Sequence, residues 1–314
     1  MADLPAQRLV IGEPPFSQSG VDYFGPFEIK RGRSTVKRYG VLFTCLSIRA
    51  VHIEVAHSLD TDSCINALRR FAARRGPVRK MRSDNGTNLI GAKRELKEGI
   101  EKWNQSQIHS SLRQEDIQWE FNPPYASHHG GVWERQIRTV RKILYGLLRE
   151  QKGCMDDEGL QTLMCEVEAV INSRPLTRVS NDTTDPHPLT PNDLLLLRSG
   201  QEPPPGVFQK EDNFARKRWR QVQHLANVFW RRWSREYLTC LQERQKWMDP
   251  EQNIERNDIV LVVDNLPRNQ WQMGRVVDVL TDERGLVRIA KVKTRTSILE
   301  RPITKLCVIL EADV

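Results

Sequence analysis

Three acids in the first half of the chain, Asp22, Asp84 and Glu134, stand where isolated carboxylates can do chemistry. Asp22 lies among apolar neighbours in Gly20-Val21-Asp22-Tyr23-Phe24-Gly25-Pro26, a setting that costs free energy unless the acid is paired, metal-bound or turned to solvent on a strand. Asp84, in Arg82-Ser83-Asp84-Asn85-Gly86-Thr87-Asn88, follows the predicted strand at Val78–Arg82, at the carboxyl end where open sheets place ligands. Asp-Asn-Gly is also ordinary turn chemistry. Glu134, in Gly130-Gly131-Val132-Trp133-Glu134-Arg135, opens an amphipathic stretch, where an acid equally complements a helix dipole. Each acid alone has a structural explanation. Together they form the set that two-metal phosphoryl transfer needs: carboxylates on rigid elements, holding two hard cations about 3.5–4 Å apart so that attacking and leaving oxygens are both stabilised. No Ser-His-Asp or Cys-His arrangement stands out to supply a covalent nucleophile.

Positioning three such acids takes a scaffold, and the hydrophobic pattern supplies one. Val21–Phe27, Tyr39–Ile48 and Ala50–Val55 are rich in β-branched and aromatic residues and predict three strands in an antiparallel meander. Asp60-Thr61-Asp62-Ser63 offers N-caps to a helix with Ile65, Leu68, Phe71 and Ala72 on one face, stopped by Gly76-Pro77. A fourth strand is expected at Val78–Arg82 and a fifth at Ile117–Phe121, where apolar and polar residues alternate. Helices are expected over Gly131–Gln151, where Val132, Ile137, Val140, Leu144, Leu147 and Leu148 recur at three and four, and over Asp156–Asn172. The predicted class is α/β, a mixed five-stranded sheet with flanking helices on the ribonuclease H-like plan. A long amphipathic helix, kinked or broken, is expected from Phe214 to Trp247, and short strands at Ile259–Val263, Gly274–Val279, Val287–Lys293 and Lys305–Leu310 predict a small C-terminal β-barrel. The expected division is an extension at 1–17, a catalytic core at 18–178, a Pro-rich linker at 179–209, a basic helical segment at 210–250 and the barrel at 255–312.

The chain of 314 residues carries a formal charge of +8 and a pI of about 9.3, which favours a polyanionic partner. Residues 210–249 concentrate that charge, with ten Lys/Arg against five acids. The six cysteines are scattered without Cys-x-x-Cys spacing, so free thiols are expected and a zinc site is not. No apolar run approaches the length of a membrane span, so no membrane association is expected.

The runs GVDYFGPF, RSDNGTNLIG and NPPYASHHGGVWERQIRTVRKIL resemble the three catalytic blocks of retroviral and retrotransposon integrases, most closely those of the BEL/Pao group of LTR retrotransposons. INSRPLT, PLTPNDLLL and the terminal NQWQMGRVVDVLTDERGLVRIAKVKT and RPITKL resemble the same group's downstream segments. Glu120 has 35 residues between it and Asp84 in this chain, the gap in the familiar integrase signature, yet it alternates with Trp119 and Phe121 on the fifth predicted strand. The family's glutamate follows a Pro/Ser/Gly loop and opens a helix, as Glu134 does. Its 49-residue gap from Asp84 implies an insertion of about fourteen residues between Lys93 and Glu115.

The resemblance implies that Asp22, Asp84 and Glu134 bind two Mg²⁺ ions, with Mn²⁺ able to substitute. Those ions would activate first a water and then a DNA 3′-hydroxyl, trimming retroelement ends and inserting them into target DNA. It also implies a homo-oligomer acting in the nucleus. Arg135, Arg138, Arg141 and Lys142 are expected to meet DNA phosphates, and His128 and His129 to touch substrate from the preceding loop. Trp219, Trp230 and Trp233, at helical spacing, read as core before base-stacking. The runner-up is a transposon-derived nucleic-acid-binding protein without catalysis. Related integrases carry an N-terminal His/His/Cys/Cys module that is not expected in this chain. A third reading, a ribonuclease H or resolvase-type nuclease, would place its acids on different elements.

Overall fold

A computed structural model describes residues 13–83, 118–121, 131–150, 155–176, 189–196, 218–241, 253–264, 266–283 and 285–310. They form two five-stranded sheets in a mixed α/β chain. By contact the chain divides into two compact units, Met1–Asn172 with Pro205–Phe229, and Ser173–Pro204 with Trp230–Val314.

The first unit is built on β1 (Gln18–Arg31), β2 (Ser34–Cys45), β3 (Val51–Ala56), β4 (Lys80–Ser83) and β5 (Gln118–Phe121). Their order is β3-β2-β1-β4-β5. β1 pairs antiparallel with β2 and parallel with β4, which pairs parallel with β5. The hairpin between β1 and β2 turns at Gly32 (φ 62), the first position of a two-residue loop that needs a positive φ. A register shift interrupts the β1/β2 ladder between Phe24 and Phe27, at Gly25 with φ 121, as at a bulge.

All six residues of β3 are buried, so both faces of this outermost strand are covered, because successive side chains point to opposite faces. Four of its outward backbone groups are taken by helix side chains. Asn172 accepts from Val51 N at 2.8 Å and donates to Val51 O at 2.7 Å, Glu168 accepts from Ile53 N at 2.8 Å, and Arg70 donates to Val55 O at 2.8 Å. These side chains come from α1 (Thr61–Arg75) and α3 (Asp157–Asn172).

Helix α1 starts where expected: the Asp60 carboxylate accepts from Ser63 N at 2.7 Å, and Gly76 ends it with φ 88 and its N–H on Ala72 O at 2.9 Å. Its buried stripe is Cys64, Ala67, Leu68 and Phe71, with Phe71 stacked on Phe43 of β2 at 4.0 Å between ring centroids. Helix α2 (Gly131–Glu150) buries Val140, Ile143, Leu144, Leu147 and Leu148 and packs on β1. Asp156 caps α3 by accepting from Gly159 N at 3.0 Å.

Within the segment predicted as Pro-rich linker, a short helix α4 (Pro191–Leu196) forms. Pro191 opens it, and Asp193 reaches back to Thr190 N at 2.7 Å and Thr190 Oγ1 at 2.8 Å, a capping box. Helix α5 (Arg218–Leu241) runs without interruption, so a break does not fall within these residues. Up to Phe229 it belongs to the first unit, where Val222, Leu225, Ala226 and Phe229 are buried and Gln223 donates to Glu166 at 2.6 Å. From Trp230 onward it belongs to the second.

The second unit holds an antiparallel sheet in the order β10-β6-β7-β8-β9: β6 (Ile259–Val262), β7 (Gln272–Thr281), β8 (Val287–Lys293), β9 (Ile298–Pro302) and β10 (Leu306–Leu310). One cluster joins Val260, Val262, Val276, Ala290, Val292 and Leu306, and the other joins Ile259, Leu261, Met273 and Cys307 to Leu238 of α5. Trp230 and Trp233 are core residues, as their spacing predicted, whereas Trp219 is exposed. Trp230 donates to Leu266 O at 3.1 Å and the Tyr237 hydroxyl donates to Pro175 O at 2.7 Å, satisfying the polar ends of two buried aromatics. β9 was not predicted: Ser-Ile-Leu-Glu-Arg-Pro mixes charges with a proline, and only an outermost strand that ends on its Pro tolerates that pattern.

Candidate active site

Asp22 sits on β1, the middle strand of the first sheet. Its neighbours Val21 and Tyr23 are buried on the opposite face, while the Asp22 side chain is about one-fifth exposed, at 20%. Across β2 its partner is Leu42. Toward β4 the described ladder ends at Val21↔Ser83, one residue short of Asp22 on one strand and of Asp84 on the other. Asp84 itself lies outside the described residues.

Helix α2 crosses this region and carries Arg141 to Asp22. The guanidinium Nη2 pairs with Asp22 Oδ2 and donates to Tyr23 O at 3.0 Å. Glu134 is in the first turn of α2, seven residues before Arg141. Seven residues are close to two turns, so the two positions share a helix face, about 10 Å apart along the axis. The side chains of Glu134 and Arg135 lie outside the described residues, as do His128 and His129 altogether. Arg138 and Lys142 are exposed and four residues apart, hence stacked on the outer side of the helix. Glu120 stands inside β5, paired in register with Arg82.

Among the described residues no group of three or more His, Cys, Asp or Glu side chains could hold a metal ion. Of the three predicted ligands only the Asp22 side chain is described: it is a hard-oxygen donor on a rigid strand, of the kind that divalent cations take, and it is occupied by the Arg141 guanidinium. Cys64 and Cys307 are poor candidates for nucleophiles. Burial pushes Cys64 up to about 12 and Cys307 up to about 11, so both stay protonated near neutrality.

A second ionic cluster went unanticipated. His52 and Glu54 of β3, Arg70, Arg74 and Arg75 of α1, and Glu168 of α3 converge in the first unit. Glu54 receives His52 Nε2 at 2.9 Å, Arg70 at 2.7 Å and Arg74 at 3.0 Å. Nδ1 of His52 lies 3.1 Å from Glu168 and within 3.2 Å of Arg75, which also pairs with Glu168. Burial disfavours the charged imidazole, but hydrogen bonds to Glu168 and Glu54 outweigh it and hold the His52 pKa above its ordinary value. Burial likewise raises Glu54, and hydrogen bonds from His52 and Arg70 outweigh that, leaving its carboxyl below the ordinary value. His and Glu alternating in Val-His-Ile-Glu-Val-Ala were the available signal, because two ionisable groups on one face of an apolar strand need partners.

Comparison with known proteins adds the following. Residues 217–309, less than half of the chain, match a family model described as "Family of unknown function (DUF5641)". No curated protein matches. Among solved structures, the chain is similar to a simian T-cell lymphotropic virus intasome, determined by cryo-EM in complex with PP2A regulatory subunit B56 gamma. The identity is 13% and the TM-score 0.40, over 100% of this chain and 85% of that one.

Proposed function

We propose that the chain is an integrase-type polynucleotidyl transferase that cuts and joins DNA, with Asp22, Asp84 and Glu134 as its metal-binding acids. The observation that carries the reading is the β1/β4 register. Its last described rung, Val21↔Ser83, is followed on one strand by Asp22 and on the other chain segment by Asp84, while α2, packed on β1, begins with Glu134. The strand order β3-β2-β1-β4-β5, antiparallel in its first half and parallel in its second, supports the ribonuclease H-like plan. The five-stranded second sheet supports the small C-terminal barrel. The quoted blocks support a BEL/Pao-like retroelement origin.

Two Mg²⁺ ions, or Mn²⁺ in their place, would be held by the three carboxylates and would stabilise charge on the attacking and leaving oxygens of the phosphodiester. The protein's own part is positioning. β1 fixes Asp22, whose neighbours are locked in the core, and α2 fixes the backbone of Glu134 relative to it. Arg138 and Lys142, exposed on the same helix, would bind phosphates of the DNA, joined by Arg135, Arg141 and the loop residues His128 and His129. Retroelement ends and target DNA are the substrates, a homo-oligomer the working form and the nucleus the site of action.

The test is strand joining and its reversal on labelled branched oligonucleotides with Mg²⁺ or Mn²⁺. Glu134→Gln is expected to abolish both reactions, at least a hundredfold, while Glu120→Gln leaves them within a few-fold of wild type. Loss only in Glu120→Gln would move the third acid to β5. A wild-type chain that binds DNA but joins none, with either metal, would establish the non-catalytic DNA-binding reading instead.

A further inference from the structure

We infer that Arg141 is the counter-cation of the metal-free site: its guanidinium holds the Asp22 carboxylate where a divalent ion would, and must leave it when that ion binds. This rests on the reading of Asp22 as a metal ligand.

The geometry separates this pair from an ordinary structural one. Arg38 and Asp157, in the same unit, form a two-pronged pair, Nε to Oδ1 at 2.6 Å and Nη2 to Oδ2 at 3.1 Å, the arrangement that gives an Arg–carboxylate contact its strength. Arg141 engages Asp22 through Nη2, and its Nε, the atom that forms one prong of the Arg38 pair, is buried without a hydrogen-bond partner. The same Nη2 donates to Tyr23 O, a backbone atom fixed in the central strand, so the cation is guided to the carboxylate by an anchor independent of it. Both side chains keep about one-fifth of their surface exposed, at 22% and 20%, which lets water assist the exchange.

A dication on Asp22 would meet a full positive charge at hydrogen-bond distance, and at that separation like charges repel by more than an exposed pair gains. One of the two cations has to move, and the long arginine side chain is the mobile one. While metal is absent, Arg141 neutralises Asp22 and keeps the carboxylate aimed along the face that α2 covers. Once metal is present, the guanidinium is released beside Arg138 and Lys142 and becomes a further cation of α2 for phosphate. Metal loading and the DNA contact made by Arg141 are thereby coupled through a single side chain.

The experiment measures Mn²⁺ affinity of the full chain without DNA, by electron paramagnetic resonance, alongside thermal unfolding in EDTA and in saturating Mg²⁺. Arg141→Ala is expected to bind Mn²⁺ about three- to tenfold tighter than wild type. It should also melt lower in EDTA and recover most of that loss in Mg²⁺, because a metal then supplies the missing charge. Arg141→Lys keeps the charge without the planar fork and is expected to fall between the two. It reads the same effect if the alanine variant folds poorly. A merely structural arginine would give weaker metal binding and an equal loss of melting temperature with and without Mg²⁺. Unchanged or weaker Mn²⁺ binding in both arginine variants, with binding lost in Asp22→Asn, overturns the role of Arg141 and leaves the metal site standing. A wild-type chain that binds no Mn²⁺ overturns both.

Discussion

His52 shows how a single buried residue ties three elements of the first unit together and makes their stability sensitive to pH. Its Nε2 faces Glu54 and its Nδ1 faces Glu168, and the same two carboxylates receive the three arginines of α1. Its pKa is raised from 6.5 by those carboxylates, so the stability it contributes is fully present below about 6.5 and is lost as pH climbs through the higher folded-state value. Glu54 has the opposite sign, because its lowered pKa contributes stability above its ordinary 4.5 that disappears only as the solution becomes more acidic. Urea unfolding of wild type and His52→Gln across pH 5–9 should show a difference largest at the acidic end and shrinking above about 6.5. A difference that does not change with pH would mean that folding leaves the His52 pKa where it was, and one that grows toward alkaline pH would mean that the folded chain holds the ring neutral. The sequence exposed the acids that do not fit their surroundings, Asp22 above all, because an acid in an apolar run is visible without coordinates. It hid the partners: nothing in the spacing of Asp22 and Arg141, or of Glu54 and Arg70, announces a contact, since each is a property of how helices lie on the sheet.

Elements bounded by local chemistry were legible, and those defined by tertiary neighbours were less so. Helix α1 begins at Asp60 and ends at Gly76 as its caps require, whereas β2 stops at Cys45 where apolar residues had extended the expected strand to Ile48. The cause is a turn in which Arg49 takes φ 56, a left-handed conformation that no residue type in that stretch advertises. β9 and α4 were missed for a related reason, as each is short and held mainly by a neighbouring strand or a reciprocal cap. The β1/β2 pair offers a test of tertiary fit against backbone freedom. A Cβ on Gly40 would lie 2.2 Å from Phe24 Cζ, and Phe24 is buried at the bulge on the same face as Asp22. Gly40→Ala should therefore cost about 1–3 kcal/mol by overpacking. Gly32 has open space around it but φ +62, so Gly32→Ala should cost only about 1 kcal/mol, from backbone strain. Denaturant unfolding of the two variants checks the order, and an equal loss in both would show that the Phe24 ring yields freely.

For the whole molecule the formal charge of +8 becomes a prediction about binding. If the chain engages DNA through phosphates, its affinity should fall linearly on a log–log plot against salt, with a slope of about −0.9 for each phosphate neutralised. Replacing Arg138 and Lys142 together by alanine should flatten that slope by roughly two. A slope that stays put would remove the outer side of α2 from the DNA contact. Any chain with sheet edges must also avoid uncontrolled pairing with its own copies, and here the side-chain seal along β3 matters. A bare outermost strand is a template on which like chains stack without limit. With Val51, Ile53 and Val55 already engaged by Asn172, Glu168 and Arg70, a strand added at β3 would first have to displace the side chains of two helices, so this edge resists open-ended stacking.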